Sequence, residues 1–344
     1  MTEISDAVID SFHSQGEDLQ ALFRQLKSGT QSHAYLISGE KGTGKRTLAG
    51  IIAAMLLCSS GGKRPCGKCK NCTLCESGEH PDVIKVEQGN PISPDAKKNR
   101  TTIPVEDIRE VIRLCGIRSA EGNFRVILIF DADKMTPQAQ NCLLKTLEEP
   151  PSGTCMILVT ERMESLLPTI ISRCSTIRMK AWKDDYILSV LAQHGITGRK
   201  AGDAVSEANG SIGRALELAT DESYWAMREE VLSCFFRTTA GSDVLKISSQ
   251  WKDRKQDAER MLSILEAYTR LLGEARYDKG KQTDLSFFPP QWIRFSAGAG
   301  KEQMIHLIDA VTEARKQLQF STNFQAVLEK LIFTYMGEGN KWQA

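Results

Sequence analysis

The hydrophobic positions of this chain fall into two regimes. In the first half, short apolar runs alternate with stretches of helical spacing. HAYLIS (33–38) is an apolar run followed directly by a glycine, and TLAGIIAAMLLC (47–58) behind it predicts a helix. RVILIFDA (125–132) is β-branched and almost wholly apolar, as a strand covered on both faces should be. CMILVT (155–160) is a further strand of the same kind. Between them, QAQNCLLKTLEE (138–149) has helical character and is closed by Pro150 and Pro151, which cannot continue a helix. Strands alternating with helices predict an α/β domain, a parallel sheet with helices on both faces.

From about residue 181 the pattern changes. Short, glycine-interrupted helices run to about 218, with GSIGRALELA (210–219) the clearest. Beyond them YWAMREEVLSCFFR (224–237), AERMLSILEAYTRLLGEARY (258–277) and FQAVLEKLIFTYM (324–336) keep helical periodicity, so this region is all-α. The expected organisation is an α/β domain over 1–180, a small helical domain over 181–220 and a helical C-terminal domain over 221–344. Residues 97–100 are polar and loop-like, and neither an internal repeat nor a low-complexity tract is visible.

Composition narrows the class. A chain of 344 residues has room for two or three domains, and 41% hydrophobic with 25% charged residues describes a folded globular protein. Lys plus Arg number 44 against 43 Asp plus Glu, a net charge of +1, which argues against a broad basic surface gripping nucleic acid unaided. The opening MTEISDAVIDSF is acidic and lacks a secretory pattern, and no apolar stretch is long enough to span a bilayer. The expected location is therefore cytoplasmic. There, clustered cysteines indicate metal binding rather than disulfides.

Two motifs carry chemistry. The first, Gly39-Glu40-Lys41-Gly42-Thr43-Gly44-Lys45, lies between a strand and a helix and fits the opening of a phosphate-binding P-loop. The glycines let backbone amides turn inward onto phosphate oxygens, and Lys45 would reach the terminal phosphates. The motif then expects a hydroxyl to hold Mg²⁺, but here Arg46 follows the lysine and the hydroxyl comes one residue late, at Thr47. One helical residue is about 100° of rotation, so Thr47 does not simply replace it. The magnesium site is compromised. Asp131, just past its strand, suits a magnesium-bound water, and Asp133 would point away if the strand geometry continues. The second motif is Cys58-x7-Cys66-x2-Cys69-x2-Cys72, a spacing suited to a closed, structural tetrathiolate zinc site. Cys75 extends the series and competes with Cys58 as fourth ligand, and His80 is a further candidate.

Together HAYLISGEKGTGK, the cysteine cluster, DADKMTPQAQNCLLKTLEEPPSGTCMILVT and LLPTIISRC resemble the AAA+ subunits of the bacterial DNA polymerase III clamp loader. The likeness is dense over about 15–220 and weaker beyond, and it is nearer to the delta-prime type than to gamma/tau. It implies an AAA+ domain with a helical lid and a C-terminal collar. Arg173, in Ser172-Arg173-Cys174, matches an arginine finger offered in trans to a neighbour's ATP, Thr160 the first sensor, and Arg214 the second. Hydrolysing relatives carry a glutamate directly after the strand-end aspartate, where this chain has Ala132. The family pattern also favours Cys58 over Cys75. The implied partners are gamma/tau and delta subunits, with the sliding clamp and primed DNA reached through the complex. Membership of that complex would place the chain under DNA-directed DNA polymerase without a polymerase site of its own. ATP or ADP binding without hydrolysis is left open by Lys45, and Mg²⁺ is not expected. Three readings stand: a non-hydrolysing stator, an active gamma/tau-like ATPase, and a scaffold that binds no nucleotide. Arg46 and Ala132 separate the first two, and Arg173 separates the first from the third.

Overall fold

The computed structural model describes residues 6–93, 100–117, 119–120, 124–277, 285–319 and 323–342. Most of the polar stretch expected as a loop at 97–100 lies outside them. Five strands, β1 (Ala34–Ser38), β2 (Val83–Val86), β3 (Arg125–Ile129), β4 (Thr154–Thr160) and β5 (Ser175–Arg178), form one sheet in the order β2-β3-β4-β1-β5. Every pairing is parallel, with Ser38 opposite both Thr160 and Arg178, so the strand ends converge at one edge. β1 is buried throughout and sits where the chain order reverses, the place where open α/β sheets bind ligands.

Among the described residues ten helices accompany the sheet: α1 (Asp6–His13), α2 (Glu17–Ser28), α3 (Lys45–Leu57), α4 (Lys70–Ser77), α5 (Val105–Cys115), α6 (Pro137–Glu148), α7 (Pro168–Ile171), α8 (Asp184–Gln193), α9 (Arg199–Ala208) and α10 (Ile212–Thr220). Alternation along the strands sends Leu36, Ile127, Ile129, Met156 and Leu158 into one core with Ile108, Val111, Leu143 and Leu147 of α5 and α6. α3 packs against β1, β3 and β4.

Contacts group the chain into two compact units, 1–219 and 220–344. The short helices after residue 181 therefore belong with the sheet. The second unit holds α11 (Glu222–Leu232), α12 (Gly241–Trp251), α13 (Ala258–Tyr277), α14 (Pro290–Gly298), α15 (Lys301–Gln319) and α16 (Phe324–Asn340). Its core is aromatic: Phe236 meets Phe288, Trp292 and Tyr335 edge-on, and the Tyr335 and Thr269 hydroxyls hydrogen-bond at 2.6 Å. Among the described residues no helix is long and apolar enough to cross a membrane.

One expectation needs correction. The apolar pattern at 125–132 predicted an unbroken strand, yet β3 stops at Ile129. Asp131 enters the left-handed region at φ 53° and the next residues, Ala132–Lys134, form a 3₁₀ turn. Aspartate tolerates that conformation better than most residues.

A glycine loop, an arginine between two acids, and a cysteine cluster

The loop after β1 depends on its glycines. Gly39, Gly42 and Gly44 have φ of 153°, 76° and 92°. At Gly42 a side chain is excluded twice over, because an added Cβ would also stand 2.3 Å from Ser211 Oγ. The lid segment presses on the loop here. Ser211 Oγ donates to Lys41 O at 2.8 Å, Gly213 N–H to Gly42 O at 2.9 Å, and Trp182 Nε1 to Thr43 O at 2.8 Å. Three successive carbonyls are thereby held on donors from the lid side. Trp182 is in turn fixed by stacking on Tyr186 and by the edge of Phe12.

Lys45 opens α3 and is buried to 7% exposure, its Nζ donating to Glu40 O at 2.6 Å and standing 3.9 Å from Glu161. Burial lowers its pKa, an effect opposed by Glu161, Asp131 and Asp133. Arg46 faces the strand ends: Nη2 donates to Asp131 Oδ2 at 2.8 Å and Nη1 to Glu87 Oε2 at 2.7 Å. The guanidinium also lies 4.7 Å from the centre of the Phe130 ring. A guanidinium can only donate, so Asp131 is engaged by a fixed cation from the position where the motif supplies a hydroxyl. Thr47 is half-buried one residue further along α3.

Thr160 and Asp133 form a second pair. The strand geometry expected past Asp131 would have turned Asp133 away, but the 3₁₀ turn brings its Oδ1 within 3.1 Å of the donating Thr160 Oγ1. Burial opposes ionisation of Asp133, yet hydrogen bonds from Thr160 and the Glu161 N–H outweigh it and hold the carboxyl below its usual range. Ala132 is fully buried in the apolar core.

Arg173 stands apart from this group, just after α7. Its Nη1 donates to Thr169 O at 2.9 Å, and its Nη2 pairs with Glu148 at the end of α6. The guanidinium remains a third exposed. Arg214 is exposed on the first turn of α10, its backbone N–H bound to Ser211 Oγ at 3.1 Å. Sequence reasoning missed Glu87, Glu148, Trp182, Ser211 and Gly213. Glu148 lies within the LLKTLEEPP run, and Ser211 and Gly213 within GSIGRAL, but nothing local marked Glu87.

The cysteine cluster is compact. The sulfurs of Cys58, Cys66, Cys69 and Cys72 lie within 4.8 Å of one another. Cys58 to Cys69 is 3.9 Å and Cys66 to Cys72 is 4.0 Å. Zinc–sulfur bonds of about 2.3 Å in a tetrahedron put sulfurs about 3.8 Å apart, so these residues fit such an ion. Backbone amides point at the sulfurs: Cys69 N–H donates to Cys66 Sγ and Cys72 N–H to Cys69 Sγ. Burial resists ionisation of Cys69, but hydrogen bonds from Cys72 N–H and Ser59 prevail and bring it to about 6. Cys75 is buried outside this group, where burial pushes its thiol up to about 12. His80 is also outside, its Nδ1 accepting from Asp82 N–H at 3.1 Å.

A family model described as DNA polymerase III, delta subunit, matches residues 14–183. The chain is 30% identical over 321 residues to DNA polymerase III subunit delta' of Bacillus subtilis (strain 168), spanning 91% of this chain and 94% of that protein. Against subunit delta' of Escherichia coli (strain K12) it is 31% identical over 228 residues, 66% of each chain. Similarity to subunit tau/gamma of Haemophilus influenzae, 36% over 175 residues, spans 51% of this chain and 24% of that protein. A solved DNA polymerase III gamma subunit-related protein from Thermotoga maritima aligns over 94% of this chain at 16% identity, with a TM-score of 0.47.

Proposed function

The chain belongs to the delta-prime family of DNA polymerase III subunits, and from that premise we propose that it is a non-hydrolysing stator of the clamp loader. In this reading it assembles with gamma/tau and delta subunits and offers Arg173 to ATP bound by a neighbour, and the complex loads the sliding clamp on primed DNA. The observation that carries it is Arg46 closed on Asp131. A chain whose own metal-holding acid is tied to a guanidinium is not equipped to hydrolyse ATP, and Ala132 offers no carboxylate to polarise water. Arg173, by contrast, is partly exposed and already oriented by Glu148 and Thr169. A guanidinium held in this way suits the phosphate charge that develops on a partner's nucleotide.

Zinc held by Cys58, Cys66, Cys69 and Cys72 would supply structure and no chemistry, since four thiolates leave no open coordination position. Lys45, the three glycines and Arg214 are retained beside the loop, which supports occupancy by ATP or ADP without turnover.

Reconstitution with gamma/tau-type and delta-type subunits tests this reading. Arg173→Ala should lower ATPase of the complex by about 10³-fold, the scale of losing an arginine finger. The purified chain should show no turnover above a Lys45→Ala control. Unchanged ATPase in the Arg173→Ala complex, or Lys45-dependent turnover by the chain alone, would sink the proposal.

A further inference from the structure

P-loop proteins that hydrolyse nucleotides hold Mg²⁺ between the hydroxyl after the loop lysine and an acid at a neighbouring strand end. The residues of this chain do not fit that ion. The hydroxyl position is Arg46, and its guanidinium bridges the strand-end acid Asp131 at 2.8 Å and Glu87 at 2.7 Å while lying against Phe130. A divalent cation entering there would have to displace the guanidinium from both carboxylates and then remain beside a like charge.

The loop itself keeps the features that hold phosphate. Lys41, Gly42 and Thr43 present their carbonyls to Ser211, Gly213 and Trp182 on the lid side. The Thr43 N–H rests on Glu40 O at 3.4 Å, the carbonyl that also holds Lys45, so a phosphate oxygen taking the place of that carbonyl would meet a loop amide and the ammonium together. Lys45 lies across the loop on Glu40 O, with its ammonium close enough to exchange that carbonyl for a phosphate oxygen. In a site without metal, the two acids would repel the phosphates; here the single positive charge of Arg46 lies between them and offsets one of the two. We propose that Arg46 is a built-in replacement for the divalent cation, so that the loop takes a nucleoside diphosphate or triphosphate without Mg²⁺.

This rests on the reading of the loop as a nucleotide site. It does not depend on the arginine-finger role, which concerns a partner's nucleotide. The consequence is a site that responds to nucleotide concentration but not to magnesium, and that has no metal with which to activate the phosphate for transfer.

The test titrates a fluorescent methylanthraniloyl-ADP against the full chain, in buffers freed of divalent cations by resin and with MgCl₂ restored. A soluble chelator is avoided because it would also attack the thiolate cluster. The dissociation constants should agree within about twofold, whereas a metal-dependent P-loop would separate them by about tenfold or more. Mn²⁺ followed by its paramagnetic resonance should be retained by the chain with ADP no better than by ADP alone. Arg46→Thr restores the hydroxyl and frees Asp131. This variant should bind the analogue about tenfold more weakly without metal, recover with Mg²⁺ and retain Mn²⁺.

Tightening of the unaltered chain by Mg²⁺ of about tenfold, or retention of Mn²⁺ by it, overturns the proposal. So does failure of the unaltered chain to bind the analogue under either condition. That last outcome leaves the stator reading standing, because Arg173-dependent turnover of the complex is measured separately. If Arg46→Thr fails to fold, the two measurements on the unaltered chain still decide.

Discussion

Arg173 is held at two points of its guanidinium, by Thr169 O and by Glu148. Both partners of the ion pair are substantially exposed, so its contribution is at most about 1 kcal/mol, equivalent to about fivefold in rate. Glu148→Ala in the reconstituted complex should therefore lower ATPase by about two- to fivefold with the fold intact, far less than Arg173→Ala. Equal losses for the two variants would show that Glu148 does more than orient its partner, and no loss would show that the pair does not orient it. The same residues mark the limit of what the sequence discloses. Arg46 was legible as a lesion because a single position departs from a short motif. Its partner Glu87 was not, because 41 residues separate them and no local pattern predicts which acid a guanidinium will find. Glu148 sits inside one of the segments that carry the family resemblance, but only the fold brings it to Arg173, 25 residues on.

Among the elements, the long periodic helices and the buried strands were readable, because hydrophobic periodicity is strongest where burial is deepest. α13 matches its apolar segment end to end. β2 and β5 escaped notice because they are short and only partly buried, so neither shows the apolar run that marks β1 and β4. β3 was overextended because Phe130 and Ala132 prolong the apolar pattern across a break that only the backbone at Asp131 reveals. The contact between lid and loop was likewise invisible, although Gly42 on its loop side belongs to the motif. Gly213 is a sharp probe of it, since a Cβ there would lie 2.9 Å from Gly42 Cα, backbone that cannot give way. Gly213→Ala should push the start of α10 off the loop, cost about 1–3 kcal/mol of stability and weaken nucleotide binding. Unchanged thermal unfolding and unchanged affinity would rule the contact out as a support of the loop. The cysteine module gives a parallel case. Cys69 caps α4 and contributes one of the four clustered sulfurs, while Asn71 ties that helix to Leu57 O at 2.8 Å. Cys69→Ser should reduce zinc from about one per chain to well below it and lower Tm by several degrees, on the order of 1–3 kcal/mol. Full zinc content in that variant, by elemental analysis, would exclude Cys69 as a ligand.

At the scale of the whole chain, charge sets the expectation. The net charge is +1, and many arginines of the second unit are neutralised within it. Arg254 pairs with Glu230 and Asp257, Arg315 with Glu259 and Glu266, Arg270 with Glu266, and Arg260 with Asp221. Affinity for DNA rises with the number of phosphates neutralised by uncommitted cations, because each releases counterions. A chain of net charge +1, with acids placed beside these arginines, lacks the net positive field that draws nucleic acid onto a protein surface. The isolated protein should therefore bind primed DNA no tighter than the non-specific range, about 10⁻⁴ to 10⁻⁶ M at physiological salt, with a shallow dependence on ionic strength. Affinity should appear only when gamma/tau-type and delta-type subunits are added, because the cations that reach DNA would then come from the assembly. Fluorescence anisotropy of a labelled primer–template, with the chain alone and in the reconstituted complex across a salt series, measures both. Binding by the chain alone well below a micromolar, with a steep salt slope, would place a DNA-gripping surface on this subunit and contradict a role confined to assembly and to the arginine at Arg173.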